Sequence, residues 1–171
     1  MRGITRISLG IMAAVFTSAA PSPMSAQASA GADVCALIDA AEVVRITGRT
    51  PRNGQGPEAN DASDFKRGER GCHFVDLQFV LVTPETRESF ASTRKIHEGV
   101  RQQFKTQTVA GLGDEAYLTW DPTPGKYRPV MVAFRLGNKK VAIEDQTSSD
   151  SVEVMKKVLV SIAKTVVPRM K

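Results

Sequence analysis

The chain is poor in the side chains on which most catalysis and metal binding are built. Its 171 residues hold two cysteines, two histidines, two tyrosines and one tryptophan. There is no Gly-x-Ser-x-Gly elbow to expose a nucleophile and no Cys-x-x-Cys redox pair. No Lys-Ser/Thr follows a glycine-rich loop to reach a terminal phosphate. No cofactor is therefore expected. Basic residues are not interleaved with aromatics as a nucleic-acid track requires, so no nucleic-acid partner is expected either. No apolar run reaches the roughly 20 residues of a bilayer span. Internal repeats and low-complexity tracts are missing too.

What is present begins with an export signal. Arg2 and Arg6 precede a short apolar core over residues 9–16, LGIMAAVF, and small residues follow, with Ala26-Gln27-Ala28 fitting a small-x-small cleavage site. Residues 1–28 read as a signal peptide, and 29–171 as a single domain of the mature protein. The alternative is a retained anchor, for which the core is short. The formal charge of +5 falls by two with Arg2 and Arg6, leaving a mild balance spread along the chain. A periplasmic or secreted location follows, with no stable membrane span after cleavage.

In that oxidising setting an even cysteine count reads as one disulfide, Cys35–Cys72. It would close a loop of about 38 residues, worth roughly 4 kcal/mol in the chain-entropy picture. The alternative is two buried free thiols. With the cysteines paired, only carboxylates remain to complete a metal set around His73 or His97. Three or four ligands are needed, so no metal site is expected.

Asp39-Ala40-Ala41-Glu42 is a capping-box pattern opening a short helix that Gly48 stops. Residues 49–71 carry three prolines or glycines in their first eight positions and read as a mobile surface loop. Residues 72–75 and 78–83 have strand composition. Thr83-Pro84-Glu85 reads as the start of a long helix with Phe90, His97, Val100 and Phe104 on one stripe. A strand over 115–120 follows. Residues 130–136 and 139–146 form a hairpin about Gly137-Asn138, a register that sets Phe134 opposite Val141 and Val132 opposite Ile143. Residues 149–166 form an amphipathic helix capped by Ser148 or Ser149. The order is that of an α+β fold, a mainly antiparallel sheet of about five strands packed with three helices.

The most distinctive segment is VAGLGDEAYLTW, Val109–Trp120. Its glycines lack the partners of a phosphate loop, and Asp114 and Glu115 place negative charge where a phosphate would sit. Neighbours in an extended segment point to opposite faces, so the carboxylates are poorly placed to share a substrate. The segment reads as a glycine corner feeding a strand. Trp120, Tyr127 and Arg128 flank a turn-rich connection. Trp, Tyr and Arg are the residue types that anchor interfaces, which makes these three the candidate partner contacts. For Trp120 the competing reading is core packing.

Two segments carry a resemblance. One is Asp33-Val34-Cys35-Ala36-Leu37-Ile38-Asp39-Ala40-Ala41-Glu42-Val43, with Gly48 and Cys72-His73-Phe74 downstream. The other is Val109–Tyr117. Together they resemble small exported bacterial proteins of unknown function, among them actinobacterial lipoproteins with a Cys-x-Leu-(Leu/Ile) start and a Gly-Leu-Gly-Asp-x-Ala segment. The resemblance implies an α/β/α sandwich like that of the PsbP and LpqN group. It implies no catalytic residues. The lipid-attachment cysteine of such lipoproteins is missing here, so tethering does not carry over. The expected function is a non-enzymatic binding or interaction module of the cell envelope, for a protein or small ligand. The competing expectation is a small envelope hydrolase using His73, Asp114 or Glu115.

Overall fold

The computed structural model describes residues 33–51, 54–99, 104–123, 129–145 and 150–171. Residues 1–28, expected to be a signal peptide, and Val100, Tyr127, Arg128, Ser148 and Ser149 lie outside the described residues.

The chain enters through a 3-10 turn, Val34–Leu37, whose Asp33 side chain accepts from the Cys35 amide. Asp39 then caps α1 (Ala40–Thr47) by accepting from the Glu42 amide, and Gly48 ends it with φ +66°, a conformation that costs glycine nothing. Strands β1 (Glu58–Ala59), β2 (Glu69–Phe74) and β3 (Leu77–Val82) follow. Next comes α2 (Arg87–Gly99). The strands β4 (Lys105–Thr108), β5 (Glu115–Trp120), β6 (Val130–Leu136) and β7 (Lys139–Asp145) precede α3 (Val152–Val166). The fold is α+β. All strand pairings are antiparallel, in the order β1-β2-β3-β7-β6-β5-β4.

The sheet has seven strands, not the five expected. The two additions are its edges. β4 is Lys-Thr-Gln-Thr and β1 is Glu-Ala, and neither buries an apolar face, so neither shows the alternation that marks a strand in sequence. Residues 49–71 hold β1, a 3-10 turn over Ala62–Asp64 and the first three residues of β2. Phe65 lies so close over Gly71 that a Cβ there would overlap the ring.

The β6–β7 register is as expected, with Phe134 paired to Val141 and Val132 to Ile143. Two helix starts differ. Thr83, Pro84 and Glu85 do not begin α2; the Thr83 amide donates to Gly68 and the Glu85 amide to Asn138, and Thr86 caps the helix through the Ser89 amide. Helix α3 begins at Val152 with Ser151, rather than Ser148 or Ser149, as its cap. The β2–β3 turn falls at Val75-Asp76, both at positive φ.

The sheet's two faces are unlike. On one, Phe79, Leu81, Val132, Phe134, Val141 and Ile143 form an apolar layer against Met155, Leu159 and Ile162 of α3 and Val43 of α1, all no more than 1% exposed. Cys35 and Cys72 are bonded, with Cα atoms 5.4 Å apart, and Cys72 pairs in register with Phe79 on this face. On the other, Phe90 of α2 rests on Tyr117 and Ala133, with Met131 and Ala142 alongside. Phe90 is the only buried residue of α2. No helix among the described residues is long and apolar enough to cross a membrane.

Candidate functional site

Alternation along β5 sends Glu115, Tyr117 and Thr119 to the α2 face and Ala116, Leu118 and Trp120 to the other. Tyr117 is the centre of the α2 face and is fully buried. Its ring meets Phe90 with centroids 5.3 Å apart, and the Arg94 guanidinium lies 5.8 Å from its centroid. Its hydroxyl is 3.2 Å from His97 Nδ1. Burial pushes the phenol well above its ordinary value, Arg94 pulls it down, and Glu85 and Glu98 add to the rise. The phenol therefore stays protonated and shares a hydrogen bond with Nδ1, whose direction depends on the imidazole tautomer.

Hollows flank Tyr117 on both sides. Toward the His97 end, His97, Phe104, Thr119, Pro129, Met131 and Glu144 bound a small one of about 120 Å³. Thr119 is 4% exposed and its Oγ1 has no hydrogen-bond partner among the described residues. Toward the Gly111–Gly113 end the space is far larger. A cleft of about 520 Å³ separates α2, at Phe90, Ala91, Arg94 and Lys95, from residues 108–116.

The charges around this cleft are arranged in a way the sequence does not show. Asp114 accepts from the Gly137 amide at 2.8 Å and lies 3.5 Å from Arg135 Nη2. Glu115 is 3.4 Å from the same Nη2 and 2.8 Å from Arg87 Nε. The two carboxylates thus converge on one guanidinium. The alternation argument fails for them because Asp114 precedes the strand, in the turn set by Gly113 at φ +62°. Gly113 is required there on a second count, since a Cβ would overlap the Arg135 carbonyl. Across the cleft Glu98 accepts from Arg94 at 2.9 Å and from the Thr106 hydroxyl at 2.6 Å, and these bonds hold its carboxyl below the usual range.

The residues suggested for hydrolysis are not brought together. His73 is exposed on β2, in register with Glu58 and Gln78, and lines a separate hollow of about 210 Å³ with Glu58 and Asp76. Asp114 and Glu115 sit at the start of β5, across the sheet. Among the described residues, the large cleft's lining contains no serine, cysteine or histidine. Among the described residues no group of three His, Cys, Asp or Glu side chains is placed to hold a metal ion.

Of the candidate contacts, Trp120 lies at the end of β5 on the closed face, half-buried. The Lys156 ammonium sits 3.3 Å from its ring centroid and 2.8 Å from Glu153. One face of the indole is therefore already occupied by a cation. Tyr127 and Arg128 lie outside the described residues. Sequence reasoning passed over Arg94, Lys95, Tyr117, Thr119 and Arg135. The one available signal was Tyr117's place inside an apolar strand, since a buried tyrosine needs a partner for its hydroxyl.

No protein family, no curated protein and no solved structure matches this chain.

Proposed function

We propose that the protein is an exported, non-enzymatic binding module of the cell envelope that takes a small molecule between α2 and residues 108–116. The observation that carries this reading is the cleft of about 520 Å³ on the face where α2 buries a single side chain. That volume is in the range of small-molecule sites. The Cys35–Cys72 bond supports export, because such bonds persist outside the reducing cytosol. Helices on both faces of one antiparallel sheet support the PsbP-like α/β/α arrangement that the sequence resemblance implies. A hydrolase reading is less favoured. Its candidate residues are divided between two hollows, and the carboxylates in the larger cleft are engaged by arginines.

The test is a blocked cleft. Ala91 is exposed and lines it, so Ala91→Trp fills the space at little cost to folding. Native mass spectrometry of the protein, released from its own compartment without refolding, should show a non-covalent small-molecule adduct on the wild type and none on the variant. Bare protein in both, or an adduct unaffected by the substitution, refutes the reading.

A further inference from the structure

The cleft has a chemical polarity that its sequence conceals. One wall is the corner 110–113. Gly111 and Gly113 have φ +71° and +62°, while Ala110 and Leu112 are not among the positive-φ residues, so the sign alternates along four successive residues. Backbone of this kind gathers consecutive amides into a concavity that attracts anions. The neighbouring amides are used: Val109 donates to Ala116 and Asp114 to Arg135. The amides of Ala110, Gly111, Leu112 and Gly113 donate to no acceptor among the described residues. The facing wall is α2, which presents Arg94 and Lys95.

The carboxylates do not cancel this. Asp114, Glu115 and Glu98 are each hydrogen-bonded or ion-paired. Arg87 and Arg135, which lie outside the lining, and Arg94 within it are the ion-pair partners of those three, and Lys95 is in no ion pair among the described residues. The apolar part of the lining is Phe90 and Ala91 on α2, faced by the segment of Val109, Leu112 and Ala116, which themselves pack in the core of the other face.

From this we infer that the cleft binds the oxyanion head of a small amphiphile, a carboxylate or phosphate monoester on a short apolar body. Charge-assisted bonds from Lys95, Arg94 and the 110–113 amides hold the head, and the apolar lining holds the body. The inference rests on the binding-module reading and gives it a ligand class.

The experiment is a ¹⁵N-resolved NMR titration of the intact exported chain with four probes of equal length: hexanoate, hexyl phosphate, hexylammonium and hexanol. Inorganic phosphate alone is a fifth arm. Saturable shifts at Gly111 and Gly113 are expected with hexanoate, hexyl phosphate or both, and the stronger of the two identifies the source of the oxyanion. Hexylammonium and hexanol should bind at least tenfold more weakly. Lys95→Gln, at an exposed helix position, should weaken the anion at least tenfold. Arg94→Gln should do the same and Arg94→Lys should restore it. Lys157→Gln, on exposed α3 beyond the other face, should change nothing. Equal binding of all four hexyl probes at Gly111 and Gly113 overturns the oxyanion assignment while leaving a binding cleft. Binding of anions that Lys157→Gln weakens as much as Lys95→Gln overturns it as unspecific surface charge. No saturable shift at 110–113 with any probe overturns both this inference and the cleft reading on which it rests.

Discussion

The two faces of one sheet are built on different terms. Under α1 and α3 the apolar side chains of five strands meet a helix that buries six of its own residues, Met155, Lys156, Leu159, Ile162, Ala163 and Val166. Under α2 a thirteen-residue helix buries only Phe90, and the layer below includes a phenol, a threonine hydroxyl and paired charges. The first face supplies stability through buried apolar area. The second leaves space and unsatisfied polar groups that a packed core would have eliminated. The same strands serve both, since alternation assigns their odd and even residues to opposite sides.

The largest effect that would separate the faces is a cavity on each. Leu159→Ala should cost about 3 kcal/mol globally, seen as a lower denaturant midpoint for the whole chain. Phe90→Ala removes more volume, yet its effect should centre on α2. Hydrogen exchange is expected to speed up along 87–99 while β3, β6 and β7 keep their protection. Equal, global destabilisation by both would show that the faces are one cooperative unit and erase the distinction drawn here.

A smaller effect comes from alkali. Burial raises the Tyr117 phenol above its ordinary value of 10.0, so the folded chain holds that proton more tightly than the unfolded chain does. The contribution is fully present below pH 10 and is lost as the pH rises beyond it. Denaturant melts between pH 9 and 11 should show stability falling at the upper end. Tyr117→Phe should flatten that fall, and an unchanged slope would remove Tyr117 as its source.

The smallest effect has the opposite sign. Thr119→Val replaces a buried hydroxyl without a partner among the described residues by a methyl group of similar shape. It should stabilise the protein by about 1 kcal/mol. A loss of stability instead would mean that the hydroxyl is satisfied in solution, and the α2 face would then be better finished than it looks.

Much of the closed face was legible in the chain. The Phe134–Val141 and Val132–Ile143 pairs follow from alternation about Gly137-Asn138, and the α1 caps follow from Asp39, Glu42 and Gly48. These are local signals, or apolar periodicities that burial enforces. The edge strands were not legible, because Lys105–Thr108 is polar on both sides and its strand state is decided by β5. The cleft was illegible for a related reason. Asp114 and Glu115 read as anions that repel anions, and only the fold brings Arg135, Arg87 and the Gly137 amide to them. Nor could spacing reveal that Arg94 and Lys95, off the helix stripe read from Phe90 and His97, face the glycine corner. Charge neutralisation across a sheet is a tertiary fact.

The strand order has a kinetic meaning as well. β4 to β7 run as a meander whose neighbours are close in sequence, and β2 and β3 form a tight hairpin. The two halves meet only where β3 pairs with β7, from Leu77 with Asp145 to Val82 with Lys140. That seam carries nearly all of the sheet's loop-closure entropy. Rate follows the sequence distance of contacts, so each half can form early by itself and the central seam zips late. The middle of the sheet, its most buried part once formed, is thus the last to be shielded as the chain folds.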